Sequence, residues 1–483
     1  MSRRAAFLAA GPAAGLLLML VAPSGLPPKA AAVLGVAGWM AVWWLTEPVP
    51  LAATSLLPIV LFPLLGVRSA KDAAAPYANE LVFLFLAGFL LAAALEKWNA
   101  HSRIAYAIVA AIGGGPRRVV FGVMLATGFV SMWISNTATA AMMYPIALAV
   151  GALFGAGRDA DVTRTALMLG VAYAASIGGM ATLIGTPPNL IFAGATKELA
   201  GRSVSFAEFL LVGLPIAAIL LPLTWVLLVY VLFRGRVDLG ADARRMLRER
   251  RDALGPLRGG EIRAVAVFLV TVAAWLMRER KEMGTVTLPG LADLAPAVTD
   301  ASVGLAGALL LFVVSDRAPR AGGRPLLTWR EARGIPWEVL LLFGGGLSLA
   351  AAMESSGLAE WLAGGMGALA GSPRLVVYGV LAGLVLLLSE LASNTAVAAM
   401  MMPIAAALGP TVGEPPVSLM LVVALAASTG FALPVATPPN AIVFGSGQVS
   451  VRQMARAGIL LDVLAVAVIV AAVALLYPLV LGT

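Results

Sequence analysis

The chain reads as long apolar stretches divided by short polar or basic joints. Unbroken apolar runs cover 5–22, 30–46, 50–66, 79–97, 208–233, 262–278, 298–315, 336–355 and 457–481. Each is close to the roughly 20 residues that a helix needs to cross the hydrocarbon core of a bilayer. Two further runs, 164–198 and 416–445, are interrupted near their middles and bring the expected spans to about 11. Segments 118–152 and 375–408 are long for one helix and carry polar residues at their centres. They are expected to be re-entrant hairpins that enter and leave on one side. The runs are continuous and not alternating, which excludes a β-barrel. The fold class is therefore an all-α polytopic membrane protein.

The pattern repeats. Ser135–Ala147 reads SNTATAAMMYPIA and Ser393–Ala405 reads SNTAVAAMMMPIA, identical at 11 of 13 positions and 258 residues apart. A second echo follows each copy, GTPPN at Gly185–Asn189 and ATPPN at Ala436–Asn440. The segments Glu80–Glu96 and Glu338–Glu354 echo each other at the same offset, and 115–123 echoes 372–380. Each unit contains five full spans, an odd number, so the two must lie in opposite orientations. The expected organisation is an N-terminal span (1–29), inverted repeat 1 (30–233), a basic cytoplasmic linker (234–261) and inverted repeat 2 (262–483).

Composition narrows the class. The chain of 483 residues is 60% hydrophobic and 12% charged, against about 25% charged for a soluble domain. It has no cysteine and a single histidine, His101, so thiol chemistry and a histidine metal cluster are excluded. No phosphate-binding GxxxxGK[ST] string is present. The net charge of +8 could suggest nucleic acid, but membrane proteins accumulate Lys and Arg in cytoplasmic loops, and no soluble module is present to carry nucleic-acid binding. With the N-terminus inside, 24 basic residues fall on the cytoplasmic side and 9 outside. That split predicts a cytoplasmic N-terminus and an external C-terminus. The opening Arg3-Arg4 and apolar run lack a convincing cleavage site and are read as a first span, not a signal peptide.

The candidate chemistry sits at the breaks. Lipid tolerates non-helical backbone only where protein or a water-filled cavity covers it. Paired breaks in two inverted halves point to a binding site at the repeat interface near the midplane. Ser, Thr and Asn offer hydroxyl and amide groups that donate and accept, and the helix ends add free N–H and carbonyl groups. The Pro-Pro pairs are expected to stop helices and free carbonyls. Neither SNT nor TPPN segment contains Lys or Arg. An ionised substrate at depth would lack a fixed counter-charge, a costly arrangement, and co-bound sodium on hydroxyls and carbonyls would supply it. The competing reading is structural, because small residues and Asn also join transmembrane helices.

The duplicated SNTxxxAMMxP, with GTPPN and ATPPN after it, resembles the divalent anion:sodium symporter (DASS) family, and nearly the whole chain fits a bacterial dicarboxylate transporter of that kind. The resemblance implies the ion-transporter superfamily architecture, an elevator mechanism between a scaffold and a transport domain, a homodimer, and location in the cell inner membrane. It implies sodium-coupled symport of a divalent anion, most simply a C4-dicarboxylate such as succinate, malate or fumarate. A sodium-independent exchanger, or a citrate or sulfate transporter of the same family, is the alternative. It also implies one sodium site at Ser131, Ser135, Asn136 and Gly185, and a second at Ser389, Ala392, Asn394 and Ala436. Substrate carboxylates would meet Ser135, Asn136, Thr137, Thr186, Ser393, Asn394, Thr395 and Thr437. Thr186 stands where some bacterial relatives carry serine, which bears on substrate size. Sodium is the only implied cofactor, as cargo, with no organic cofactor. The partners are the anion, sodium, membrane lipid and a second copy of the chain. No nucleophile, base or metal cluster that would make the chain an enzyme is visible in the spans.

Four other positions draw attention. Glu390 lies inside the second hairpin, where its counterpart is Met132, and reads as a paired or coupling carboxylate. Asp462 reads as an acid near the start of the last span that reaches toward the membrane surface. Glu47-Pro48 reads as a helix end, and His101 as an interfacial residue. Segments 98–112 and 356–371 are expected to lie as helices along the membrane surface, and the basic run 234–263 to contact lipid headgroups.

Overall fold

The computed structural model describes the chain except for residues 1–2, 24, 113–114, 236–248, 250–251, 254, 284–285, 318–322, 366–368 and 483. Helices dominate because apolar residues recur without polar interruption, and their ends are set locally. Proline opens Pro28–Thr46, Pro116–Ser131 and Pro187–Ala200, where its missing N–H costs nothing. Capping boxes start Phe206–Val226 at Ser205/Glu208 and Val451–Val480 at Ser450/Gln453.

Among the described residues, eight helices are long and apolar enough to cross a membrane. Helices Asp300–Val313 and Pro416–Ala427 fall short of a full crossing. The expected run 50–66 is broken into Leu51–Thr54 and Leu57–Leu64 around Ser55 and Pro58. A three-residue antiparallel ribbon, Lys281–Met283 with Val286–Leu288, joins two helices on the polar side of Arg278. The last helix shows Ile459, Val463, Leu475 and Leu479 on its exposed face, as a lipid-facing helix does. Most of the basic run 234–263 lies outside the described residues.

Each SNT string lies at a joint between two helices. Pro116–Ser131 and Asn136–Ala152 flank the first, and Arg374–Leu391 and Asn394–Val412 flank the second. The interrupted spans resolve as Arg158–Gly179 with Pro187–Ala200, and Pro416–Ala427 with Pro438–Phe444. Helix Arg158–Gly179 packs on Pro438–Phe444, while Pro187–Ala200 packs on Pro416–Ala427. First piece meets last piece in both cases, so the two broken spans pass each other in opposite senses. Each outgoing piece also leans on the other half's hairpin: Pro187–Ala200 on Asn394–Val412, and Pro438–Phe444 on Asn136–Ala152.

Close approach at the centre depends on glycine. A Cβ on Gly178 would stand 2.1 Å from the Gly128 carbonyl oxygen, so the first hairpin and the first broken span touch backbone to backbone. Small residues at such crossings let helices approach closely enough for dispersion contacts to hold them in lipid.

Candidate functional site

The two breaks repeat one hydrogen-bond arrangement. Asn189 Nδ2 donates to the carbonyls of Gly179 (3.0 Å) and Thr182 (2.7 Å). Asn440 Nδ2 donates to the carbonyls of Gly430 and Leu433, both at 3.0 Å. The acceptors stand at the same distance in sequence from their asparagine in each half. Both asparagines are fully buried, and the Oδ1 of each has no partner. The motif asparagine therefore staples the two ends of a non-helical turn, replacing the intrahelical bonds that the break removes. The Pro-Pro pair does not end the preceding helix. Pro187-Pro188 and Pro438-Pro439 open the next one, since proline's fixed φ suits the first helical turn.

Serine ties each hairpin to its break. Ser131 Oγ donates to the Ala175 carbonyl at 2.7 Å and Ser389 Oγ to the Ala427 carbonyl at 3.3 Å. Ser131 Oγ also lies 2.8 Å from Asn136 Oδ1. A Cβ on Gly179 would fall 2.3 Å from Asn136 Oδ1, and one on Gly185 would fall 2.4 Å from the Gly179 carbonyl oxygen. Ser131, Asn136, Gly179 and Gly185 thus form one cluster. Ser135 caps the outgoing helix, accepting from the Ala138 N–H at 3.3 Å.

The second cluster is roomier. A Cβ on Gly430 would find the Ala436 Cβ and the Ser389 carbonyl oxygen at 3.6 Å and the Thr437 methyl at 3.8 Å. Thr437 Oγ1 accepts from the Asn440 N–H at 3.3 Å, whereas Thr186 makes no cap bond. Ser393 caps nothing, and Asn394 Oδ1 is buried without a partner. An orphaned buried carboxamide oxygen suits a hard cation, which prefers oxygen ligands. Ala392 and Thr395 are half-buried and Thr137 is exposed on the outgoing helix. No Lys, Arg or His is in either cluster.

Beside the first hairpin lies a cavity of about 230 Å³ lined in part by Glu96, Asn99, His101 and Thr139. Thr139 Oγ1 is buried and unpartnered. Burial holds the His101 imidazole below its usual range, opposed by its contact with the Leu95 carbonyl.

Two acids lie at the second break, and one of them departs from its expected setting. Asp462 does not reach toward the surface. It is 5% exposed and accepts the Phe431 N–H at 3.3 Å, because the preceding turn lies against the break: a Cβ on Gly458 would fall 2.2 Å from the Phe431 carbonyl oxygen. Glu390 is 7% exposed and accepts from the N–H groups of Ala432 (2.8 Å) and Leu433 (2.9 Å). Gly179, Gly430, Asn189 and Asn440 were not among the expected site residues. The asparagines were visible in the motif, but their inward turn depends on a break that sequence shows only as Pro-Pro.

The Gly179 contact gives a direct test. Gly179→Ala drives a methyl into Asn136, so the anion uptake that the resemblance implies should fall at least about tenfold with protein still recovered from the membrane. Uptake per folded molecule, measured beside the wild type, checks it; unchanged uptake would separate Asn136 from the working site.

A twofold arrangement of broken helices, with polar clusters at the breaks and apolar helix faces outside, defines a multi-pass membrane transporter. The chain matches the family described as "Sodium:sulfate symporter transmembrane region" over residues 4–482 and belongs to that family. It is 38% identical over 474 residues to a protein named sodium-dependent dicarboxylate transporter SdcS of Staphylococcus saprophyticus, covering 97% of this chain and 90% of that one. The protein of the same name in Staphylococcus aureus strain MSSA476 is 39% identical with the same coverage. Among solved structures, the YdaH transporter of Alcanivorax borkumensis shares the fold at TM-score 0.56 and 16% identity, over 85% of this chain and 88% of that one. MtrF of Neisseria gonorrhoeae shares it at TM-score 0.58 and 12% identity, over 95% and 96%.

Proposed function

We propose that this protein is a secondary active transporter that carries a C4-dicarboxylate together with sodium. The observation that carries this reading is the pair of matching clusters at the two breaks. Each offers hydroxyl, carboxamide and carbonyl oxygens, and neither holds a fixed positive charge. A doubly charged anion gains its counter-charge there from co-bound cations. The first sodium belongs at Ser131, Ser135, Asn136 and the Gly185 backbone. The second belongs at Ser389, Asn394 and the carbonyls of Ala392 and Ala436. The anion meets Ser135, Asn136, Thr137 and Thr186 from one half, and Ser393, Asn394, Thr395 and Thr437 from the other. The names of the relatives support both sodium and the dicarboxylate.

The reaction is movement, not catalysis. The repeats at 30–233 and 262–483 alternate access by an elevator motion, with the span before residue 30 and the linker 234–261 outside them. The protein works as a homodimer in lipid of the inner membrane, with its N-terminus in the cytoplasm and its C-terminus outside.

The test is radiolabelled succinate uptake into proteoliposomes under an inward sodium gradient, against matched potassium, with a succinate counterflow arm. Sodium-dependent uptake is expected. Counterflow indifferent to sodium would make the protein an exchanger. Silence in both arms, with sulfate or citrate carried instead, would replace the substrate.

A further inference from the structure

The two hairpins begin alike, but only one gives its first arginine an acid. Residues 115–123 and 372–380 are matching strings, so Arg117 and Arg374 stand at equivalent places near the starts of helices Pro116–Ser131 and Arg374–Leu391. In the second half Glu414 answers Arg374. The guanidinium Nε donates to one Glu414 oxygen and the Tyr378 hydroxyl to the other, both at 3.0 Å. Glu414 lies in the joint after the outgoing helix Asn394–Val412. The corresponding joint of the first half, residues 153–157, reads LFGAG and holds no acid. Asp159 and Asp161 begin the next helix, where Asp161 pairs with Arg164. Among the described residues neither Arg117 nor Arg118 forms an ion pair.

What Arg117 meets instead is aromatic. Its guanidinium lies 4.7 Å from the centre of the Tyr230 ring, where the ring's negative face attracts a cation. Trp225 stands edge-on to Tyr230 at 5.3 Å and beside Phe121 at 5.0 Å. Its indole N–H donates to the Arg117 carbonyl at 2.9 Å. The turn that carries Tyr230 is widened: Leu227–Leu232 is π-helical, and the Phe233 N–H reaches back to the Leu228 carbonyl at 2.8 Å. Such widenings are frequent at functional places. A ring fixes where the guanidinium stands but takes none of its five N–H donors. Arg118, beside it, is exposed, and so is Arg234, four residues after Tyr230.

An apolar track runs away from this corner. Ile219, Leu223, Val226 and Val231, on the same membrane-crossing stretch, are exposed. A free anion has no use for that track. A phospholipid fits both parts, with its phosphate on the guanidiniums and an acyl chain along the aliphatic side chains. Trp and Tyr beside it mark the depth at which headgroups lie. We propose that Arg117 and Arg118, with Arg117 aimed by Tyr230, hold the headgroup phosphate of an anionic phospholipid. The lipid takes the part that Glu414 plays in the second half. It ties the entering helix of the first hairpin to helix Phe206–Val226, and it does so in one half alone.

The test uses the full chain, delipidated in detergent and given phosphatidylglycerol, phosphatidylcholine or inorganic phosphate. Phosphatidylglycerol should raise the melting temperature by at least about 4 °C more than phosphatidylcholine does. Inorganic phosphate should not reproduce the rise. Native mass spectrometry of the same samples should find phosphatidylglycerol retained. The double variant Arg117→Gln/Arg118→Gln should retain at least about threefold less and lose at least about half of the rise. Arg330→Gln removes an exposed charge elsewhere and should keep both, which separates this site from net charge. If the double variant is not recovered folded, Tyr230→Leu keeps the charges, removes the ring that aims one of them, and should lower the retained lipid instead. An equal response to phosphatidylcholine would overturn the proposal, as would an undiminished response in the variants. An equal response to inorganic phosphate would make this a site for a free anion and overturn the lipid. None of these readouts needs transport, so the proposed anion and sodium coupling stands or fails separately.

Discussion

Asn136→Ala and Asn394→Ala should each cut anion uptake by about a hundredfold or more while the protein remains folded in the membrane. The two residues occupy the first position of the outgoing hairpin helices, where a carboxamide can serve a cation through its oxygen and an anion through its N–H groups. A hydrogen bond to a charged partner contributes about 1.5–3 kcal/mol, and each asparagine is placed for two such contacts. The structural cost of the change is small by comparison. Ser131 keeps the Ala175 carbonyl when Asn136 Oδ1 is lost, and Asn394 Oδ1 has no protein partner to lose. Initial uptake rates, normalised to protein that elutes as a single species in detergent, give the comparison. Normal uptake by either variant would remove that asparagine from the site.

The second large effect concerns folding. Gly178→Ala should destabilise the protein by about 3 kcal/mol or more, at or beyond the upper end for overpacked substitutions. The added Cβ would stand 2.1 Å from the Gly128 carbonyl oxygen and 2.6 Å from its Cα. Backbone cannot rotate aside as a side chain can, so two central helices would have to separate. The control is Gly383→Ala, where nothing lies within 4 Å of the new methyl. Thermal stability in detergent should drop for the first and hold for the second. Equal melting of the two would mean that the crossing tolerates separation.

Much of this architecture was legible in the sequence because lipid allows few alternatives. Continuous apolar runs must be helices there, and the repeated SNT and TPPN strings marked where the helices stop. Ser131, Asn136 and Gly185 lie together at the first break, and Ser389, Ala436 and Thr437 lie together at the second. What stayed hidden depends on direction and depth. The Pro-Pro pair carries no sign of which helix it serves, and it opens the second piece instead of closing the first. Asn189 and Asn440 could have faced lipid, a cavity or the break, and only folding turns their amides onto two carbonyls. Asp462 is the twelfth residue of its helix, and sequence alone gave no hint that the second break would lie against it. The run 50–66 was apolar enough for one span, but Ser55 and Pro58 divide it.

The crossed packing of the outgoing pieces bears on how the chain must fold. Pro187–Ala200 and Pro438–Phe444 each pack on the other half, so neither half encloses its own interior. A chain of half this length would leave those faces unfilled, and the two halves have to assemble together.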